Sequence, residues 1–252
     1  MPTTAITLIG GPTVLLEWAG LRIVTDPTFD APQSYEDPGS TPLVKTAGPA
    51  FSRDELGAVD LVLLSHHEHQ DNLDYEGLEL LATGVTTLST RKASMDLFGG
   101  GVIGLDSWES YTVGEATITA VPALHGPPGS EPIVGPVIGF VLEAAGAPTV
   151  YVSGDNASVP LVEQIADRFA PVDLAILFAG AARVPAIDAA LTLTVQDAVA
   201  AAKALRAVRV VAVHTEDWEH FSESREMLNQ AFADAGLADL LVPVPRGARV
   251  EL

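Results

Sequence analysis

All six histidines of this chain fall into three short segments, and each segment follows a run that reads as a buried β-strand. The first is Ser65-His66-His67-Glu68-His69-Gln70-Asp71-Asn72, after the apolar run Leu61-Val62-Leu63-Leu64. The second is His125, after Thr117-Ile118-Thr119-Ala120-Val121, and the third is His214 with His220, after Val210-Val211-Ala212-Val213. A fourth strand pattern, Thr149-Val150-Tyr151-Val152, runs into Ser153-Gly154-Asp155 and adds a carboxylate in the same kind of place. The pattern asks for a sheet-rich fold whose strand ends aim side chains at a common point. Neutral imidazole with carboxylate suits zinc, manganese or iron.

Composition narrows the chemistry. With 252 residues, 48% of them hydrophobic, the chain can bury one large core or two fused half-size ones. Zero cysteines exclude disulfides, thiolate ligands and a cysteine nucleophile, so any metal is left to N and O donors. No apolar stretch reaches the roughly 18 to 20 residues of a membrane span. No basic residue precedes Arg22, and the first apolar stretch breaks at Gly10-Gly11-Pro12. Neither signal peptide nor anchor is expected, and the expected compartment is the cytoplasm. A formal charge of −20 repels polyanions, so nucleic acid is not expected as a partner, and neither is a membrane. There are only three lysines (Lys45, Lys92, Lys203) beside 33 acids, which predicts a solvated acidic surface.

Along the chain, a β-meander is expected at Ala5 to Ile9, Thr13 to Trp18 and Leu21 to Val24. The irregular Pro27 to Ser52 segment reads as a functional cover. Strands and helices then alternate: a strand at Asp60 to Leu64, a helix near Tyr75 to Ala82, a strand at Val85 to Ser89, a helix near Lys92 to Phe98, and a strand pair ending at Val121. The second half is expected to hold strands at Val137 to Glu143 and Thr149 to Val152, a helix at Pro160 to Phe169 and a strand at Val172 to Leu177. A helix from about Val195 to Arg206 follows with Thr194 as N-cap, then a strand at Val208 to Val213. A helix from about Glu223 to Ala235 capped by Ser222, and two short strands, close the chain. The whole of 1–252 is expected to form a single domain of two β-rich halves, about 1–130 and 131–252, of class α+β.

These residues resemble the metallo-β-lactamase superfamily. Its signature is a strand ending in Ser or Thr, then His-x-His-x-Asp-His, followed by an isolated His, an Asp after Ser-Gly, and a last His after a buried strand. Here His67-Glu68-His69-Gln70-Asp71-Asn72 has that spacing except at its last position, and His125, Ser153-Gly154-Asp155 and His214 follow in the family's order. Thr25-Asp26-Pro27 also looks like a segment found in several branches. The resemblance covers essentially the whole chain and implies a four-layer αββα sandwich. Counted from the strand end, the first ligand is His66; counted back from Asp71, it is His67. A bacterial branch with a Ser-His-x-x-His-x-Asp-Asn pattern is similar to the first register and favours His66.

The resemblance implies one or two divalent metal ions. One would take His66 or His67, His69 and His125; the other would take Asp71, Asp155 and His214, with Asp155 bridging. With Asn72 in place of the family's histidine, the second site is rich in oxygen, which suits manganese or iron better than tight zinc. Asp71 and Asp155 are expected to carry the catalytic roles, Asp71 alternatively as a base that orients the attacking water. Asp26 is expected to support the site from behind or to shape a turn. Trp218, His220 and Phe221 are expected to form a pocket wall, and Glu68 to point outward.

The function implied is hydrolysis of a small-molecule lactone, ester, amide or phosphodiester by a metal-activated water. The alternatives are a nuclease of the same superfamily, against which the acidic balance argues, and a degenerate member that binds a metabolite without turning it over.

Overall fold

A computed structural model describes residues 3–36, 42–97 and 101–252. Residues 37–41, inside the Pro27 to Ser52 segment, and Phe98, the expected end of one helix, lie outside the described residues. The chain divides into two compact units, the first comprising 1–105 with 217–220 and 244–252, the second 106–216 with 221–243. The first unit's opening stretch ends at Leu105, and the unit takes in two later pieces of chain.

The first unit opens with the expected meander, β1 (Ala5–Gly10), β2 (Thr13–Trp18) and β3 (Leu21–Thr25), paired antiparallel. The Pro27 to Ser52 segment is not wholly irregular. Its described residues form an antiparallel pair, β4 (Gln33–Tyr35) and β5 (Leu43–Lys45). Then come β6 (Leu61–Leu63), α1 (Tyr75–Ala82), β7 (Thr87–Thr90), α2 (Arg91–Asp96) and β8 (Val102–Leu105). Strands β3, β6, β7 and β8 run parallel to one another. Interior parallel strands are covered on both faces, which is why β6 is an unbroken Leu-Val-Leu run with every residue fully buried. Leu80 and Leu81 of α1 close one side of a core that includes Val24, Val62 and Leu64.

The second unit begins with β9 (Ser110–Val113), β10 (Ala116–Pro122), α3 (Glu131–Val134), β11 (Ile138–Ala144) and β12 (Val150–Val152). It continues with α4 (Val159–Phe169), β13 (Leu174–Phe178), α5 (Val195–Ala204), β14 (Arg209–Val213) and α6 (Arg225–Asp234). Its sheet runs in the order β14-β13-β12-β11-β10-β9, parallel among β12, β13 and β14 and antiparallel elsewhere. Val162 and Ile165 of α4, Ala198 and Ala202 of α5, and Leu228 and Phe232 of α6 share one core with the sheet. The last strand, β15 (Arg249–Glu251), pairs antiparallel with β1 in the first unit.

Thr194 caps α5 in a reciprocal box with Asp197, as expected. Three details differ. The cap of α6 is Ser224, which accepts from Met227 N, because the Ser222 hydroxyl is engaged with the Ala181 carbonyl. Three strands rather than two lead to Pro122, since Gly114 at φ 58 makes a tight hairpin between β9 and β10. In place of two terminal strands there is a 3-10 turn (Ala238–Leu240) and the single strand β15. Among the described residues no helix is long and apolar enough to cross a membrane.

Candidate metal centre

In the first unit the donors hang from the end of β6. Asp26, just past β3, is fully buried with φ 31, and its Oδ1 accepts from Ser65 N at 2.9 Å and Ser65 Oγ at 2.7 Å. A carboxylate only accepts, so the Ser65 hydroxyl hydrogen is committed to Asp26. The 3.0 Å contact between Ser65 Oγ and His66 Nδ1 is therefore a bond that Nδ1–H donates. This fixes the tautomer of the buried His66 ring and makes Nε2 the acceptor, 3.0 Å from His69 Nδ1. Asp26, Ser65 and His66 thus form one hydrogen-bonded chain.

His67 turns elsewhere. Its Nε2 lies 3.1 Å from Asp96 Oδ2 and its Nδ1 3.2 Å from Glu68 Oε2. Glu68 is not the outward charge expected: its side chain is only 17% exposed, because it folds back on His67. Burial pushes the Glu68 carboxyl up, but the side-chain hydrogen bond with His67, joined by one from the His67 backbone N–H, outweighs it and brings it to about 2. Asp71 is buried and meets His220, whose Nε2 is 3.0 Å from Asp71 Oδ2. Asn72, fully buried, sets its Nδ2 3.4 Å from Asp26 Oδ1.

In the second unit the donors follow β10, β12 and β14. Asp155, 1% exposed, has His214 Nε2 at 3.5 Å from Oδ1 and His125 Nε2 at 3.7 Å from Oδ2. His125 Nδ1 lies 2.9 Å from the Leu191 carbonyl, which can only accept, so that nitrogen carries the hydrogen. In a neutral His125, Nε2 is then a lone pair facing a carboxylate oxygen. Two acceptors so placed call for a cation or a proton between them.

His214 adopts φ 57, a left-handed conformation that costs about 1–3 kcal/mol for a non-glycine residue and persists only where neighbours impose it. The neighbours are Phe178 and Phe221, whose ring centroids lie 5.3 and 4.6 Å from that of His214. Gly180 completes the seat. An added Cβ there would lie 2.2 Å from the His214 carbonyl oxygen and 2.9 Å from the Phe221 ring. Phe221 thus packs on His214, whereas Trp218 stacks with Tyr35 at 5.6 Å and lies 6.2 Å from the His220 ring in the first unit. A cavity of about 120 Å³ beside His125 is lined by Leu124, Glu131, Pro136 and Val137 among others.

Ser65, the Leu191 carbonyl, Phe178 and Phe221 escaped the sequence reading as supports. Ser65 alone left a signal there, as the hydroxyl residue at a strand end beside a histidine; the rest depend on tertiary proximity.

The model of the β-lactamase superfamily domain matches residues 21–215. The chain belongs to that superfamily, and the class it defines is that of metal-dependent hydrolases of metallo-β-lactamase fold. A UPF0173 metal-dependent hydrolase of Pyrococcus furiosus is 24% identical over 194 residues, covering 75% of this chain and 81% of the relative. A possible metal-dependent hydrolase of Veillonella parvula is similar in structure with a TM-score of 0.87 at 20% identity, over 99% of this chain and 100% of the other. An isothiocyanate hydrolase from Delia radicum gut bacteria gives 0.85 at 22% identity, over 98% of each chain.

Proposed function

We propose that this chain is a two-metal hydrolase in which, as the superfamily signature implies, His66, His69 and His125 would hold one divalent cation and Asp71, Asp155 and His214 a second, with Asp155 shared. The observation that carries the proposal is Asp155 itself: a buried carboxylate with one buried imidazole facing each of its oxygens. Two donors bound about 2.1 Å from one ion stand roughly 3.0 to 3.4 Å apart in octahedral or tetrahedral geometry. The 3.0 Å between His66 Nε2 and His69 Nδ1, and the 3.5 Å between His214 Nε2 and Asp155 Oδ1, lie at or near that range. The donors fit an ion in kind as well, since the hydrogens on His66 Nδ1 and His125 Nδ1 are already committed to Ser65 and Leu191.

Three imidazoles suit zinc at the first position, and two carboxylates with one imidazole suit manganese or iron at the second. Bound ions supply a polarised water and positive charge for the substrate oxygen on which negative charge develops. Asp71 would help to hold the second ion or, alternatively, would orient the attacking water and take up its proton. Ser153 is not the nucleophile: its Oγ accepts from Phe178 N at 2.9 Å, lies 2.9 Å from the Gly154 carbonyl, and is fully buried. The substrate is a small lactone, ester, amide or phosphodiester, and the cavity beside His125 offers room for a small group.

Elemental analysis of the full chain before and after dialysis tests this, with turnover of a lactone, a p-nitrophenyl ester, a phosphodiester and an isothiocyanate. About two ions per chain are expected, one lost more readily, and Asp155→Ala should lose both ions and all turnover. Full turnover after exhaustive chelation, or a covalent acyl group trapped on a serine, would overturn the proposal.

A further inference from the structure

Residues 217–220 form a four-residue excursion into the first unit between two stretches that belong to the second. They are fastened there at several points. Thr46 N donates to the Asp217 carbonyl at 2.7 Å, Glu219 N donates to the Val44 carbonyl at 3.1 Å, and Trp218 bridges Lys45 in antiparallel fashion. The Asp217 carboxylate accepts from Gly11 N at 2.7 Å and pairs with Arg246. Asp217 sits at φ 79, so the path is one the backbone does not choose for itself. Its outcome is the placement of one imidazole, His220, whose Nε2 meets Asp71 Oδ2 at 3.0 Å with side chains 12% and 6% exposed.

We infer that His220 is a positioning residue: it donates Nε2–H to Asp71 and fixes which carboxylate oxygen is presented to the ion that Asp71 helps to hold. The inference rests on the two-metal proposal above. It gives a physical meaning to Asn72, where the family signature has histidine. Asn72 has turned to Asp26, and an imidazole brought from the far end of the chain steadies the carboxylate next to it in sequence. Groups that orient a metal ligand from behind commonly contribute 10- to 100-fold to metal affinity, roughly as much as a weak ligand does. The β4–β5 pair, through Val44, Lys45 and Thr46, is the part of the cover that holds the device in place.

The test compares His220→Phe, which keeps a ring against Trp218 without the donor, with His220→Gln, whose amide can still donate to Asp71. Titration of the metal-free full chain with Mn²⁺ and with Zn²⁺ reads both affinities, and thermal melting of the metal-free proteins reads any purely structural effect. His220→Phe should weaken one ion about 10-fold or more, leave the other within about twofold, and keep the metal-free melting temperature; His220→Gln should recover most of the loss. Equal affinities in His220→Phe and the unaltered protein, or equal losses in both variants, would overturn the inference while the two-metal proposal stands. An unaltered protein that binds no ion would instead bring down both.

Discussion

His66 and His67 lie in the bend beyond β6, and it is their partners that separate them. His66 is buried with its Nδ1 hydrogen held by Ser65, whereas His67 is committed to Glu68 and Asp96. His66→Ala is therefore expected to lose the more tightly held ion. His67→Ala should keep it, because it removes a ring engaged with Glu68 and Asp96. Metal content measured on both variants decides the point, and the opposite result would install His67 as the ligand. The histidines and carboxylates that mark the candidate site were legible in the sequence because they are polar residues set against apolar runs. What holds them was not. The Leu191 carbonyl leaves no trace in residue identity, Phe178 looks like any core aromatic, and Phe221, read as pocket wall, shows its contact with His214 only once the fold forms.

At the scale of elements, α1 came out at its expected bounds because its apolar spacing and its Asp74 cap agree, while the β4–β5 cover was missed because short strands of mixed burial carry no clear period. The two are tied by a buried pair that composition made easy to overlook. Lys45, one of only three lysines, is 4% exposed, and its Nζ lies 2.9 Å from Asp74 Oδ2. Asp74 also accepts from Phe29 N, Asp30 N and Gly77 N, so one carboxylate joins the segment after β3 to the first turn of α1. Removing one partner of a buried ion pair leaves the other charge without compensation. Lys45→Ala is expected to destabilise the protein by about 3 kcal/mol or more in urea unfolding. A loss under about 1 kcal/mol would mean that the backbone donors alone satisfy Asp74.

Across the whole molecule, strand order within each unit could not be read from the sequence. Apolar runs announce that strands exist and that they are buried, but pairing is decided by contacts between residues far apart, such as β15 returning to β1 from the other end of the chain. Charge, by contrast, is fixed by composition and acts over the whole surface. A formal charge of −20 sets up a negative potential around the protein, against which only the proposed cations would present a local positive site. Its reach is about 30 Å at 0.01 M salt and about 8 Å at 0.15 M. An anionic substrate must cross that field and a neutral one need not. Raising NaCl across this range should therefore increase kcat/KM for an anionic phosphodiester several-fold while leaving that for a neutral ester within about twofold. Parallel steady-state measurements on the two substrates read the difference. A phosphodiester rate that falls as salt rises would reveal a positively charged approach to the site, and would reopen polyanions as substrates for this chain.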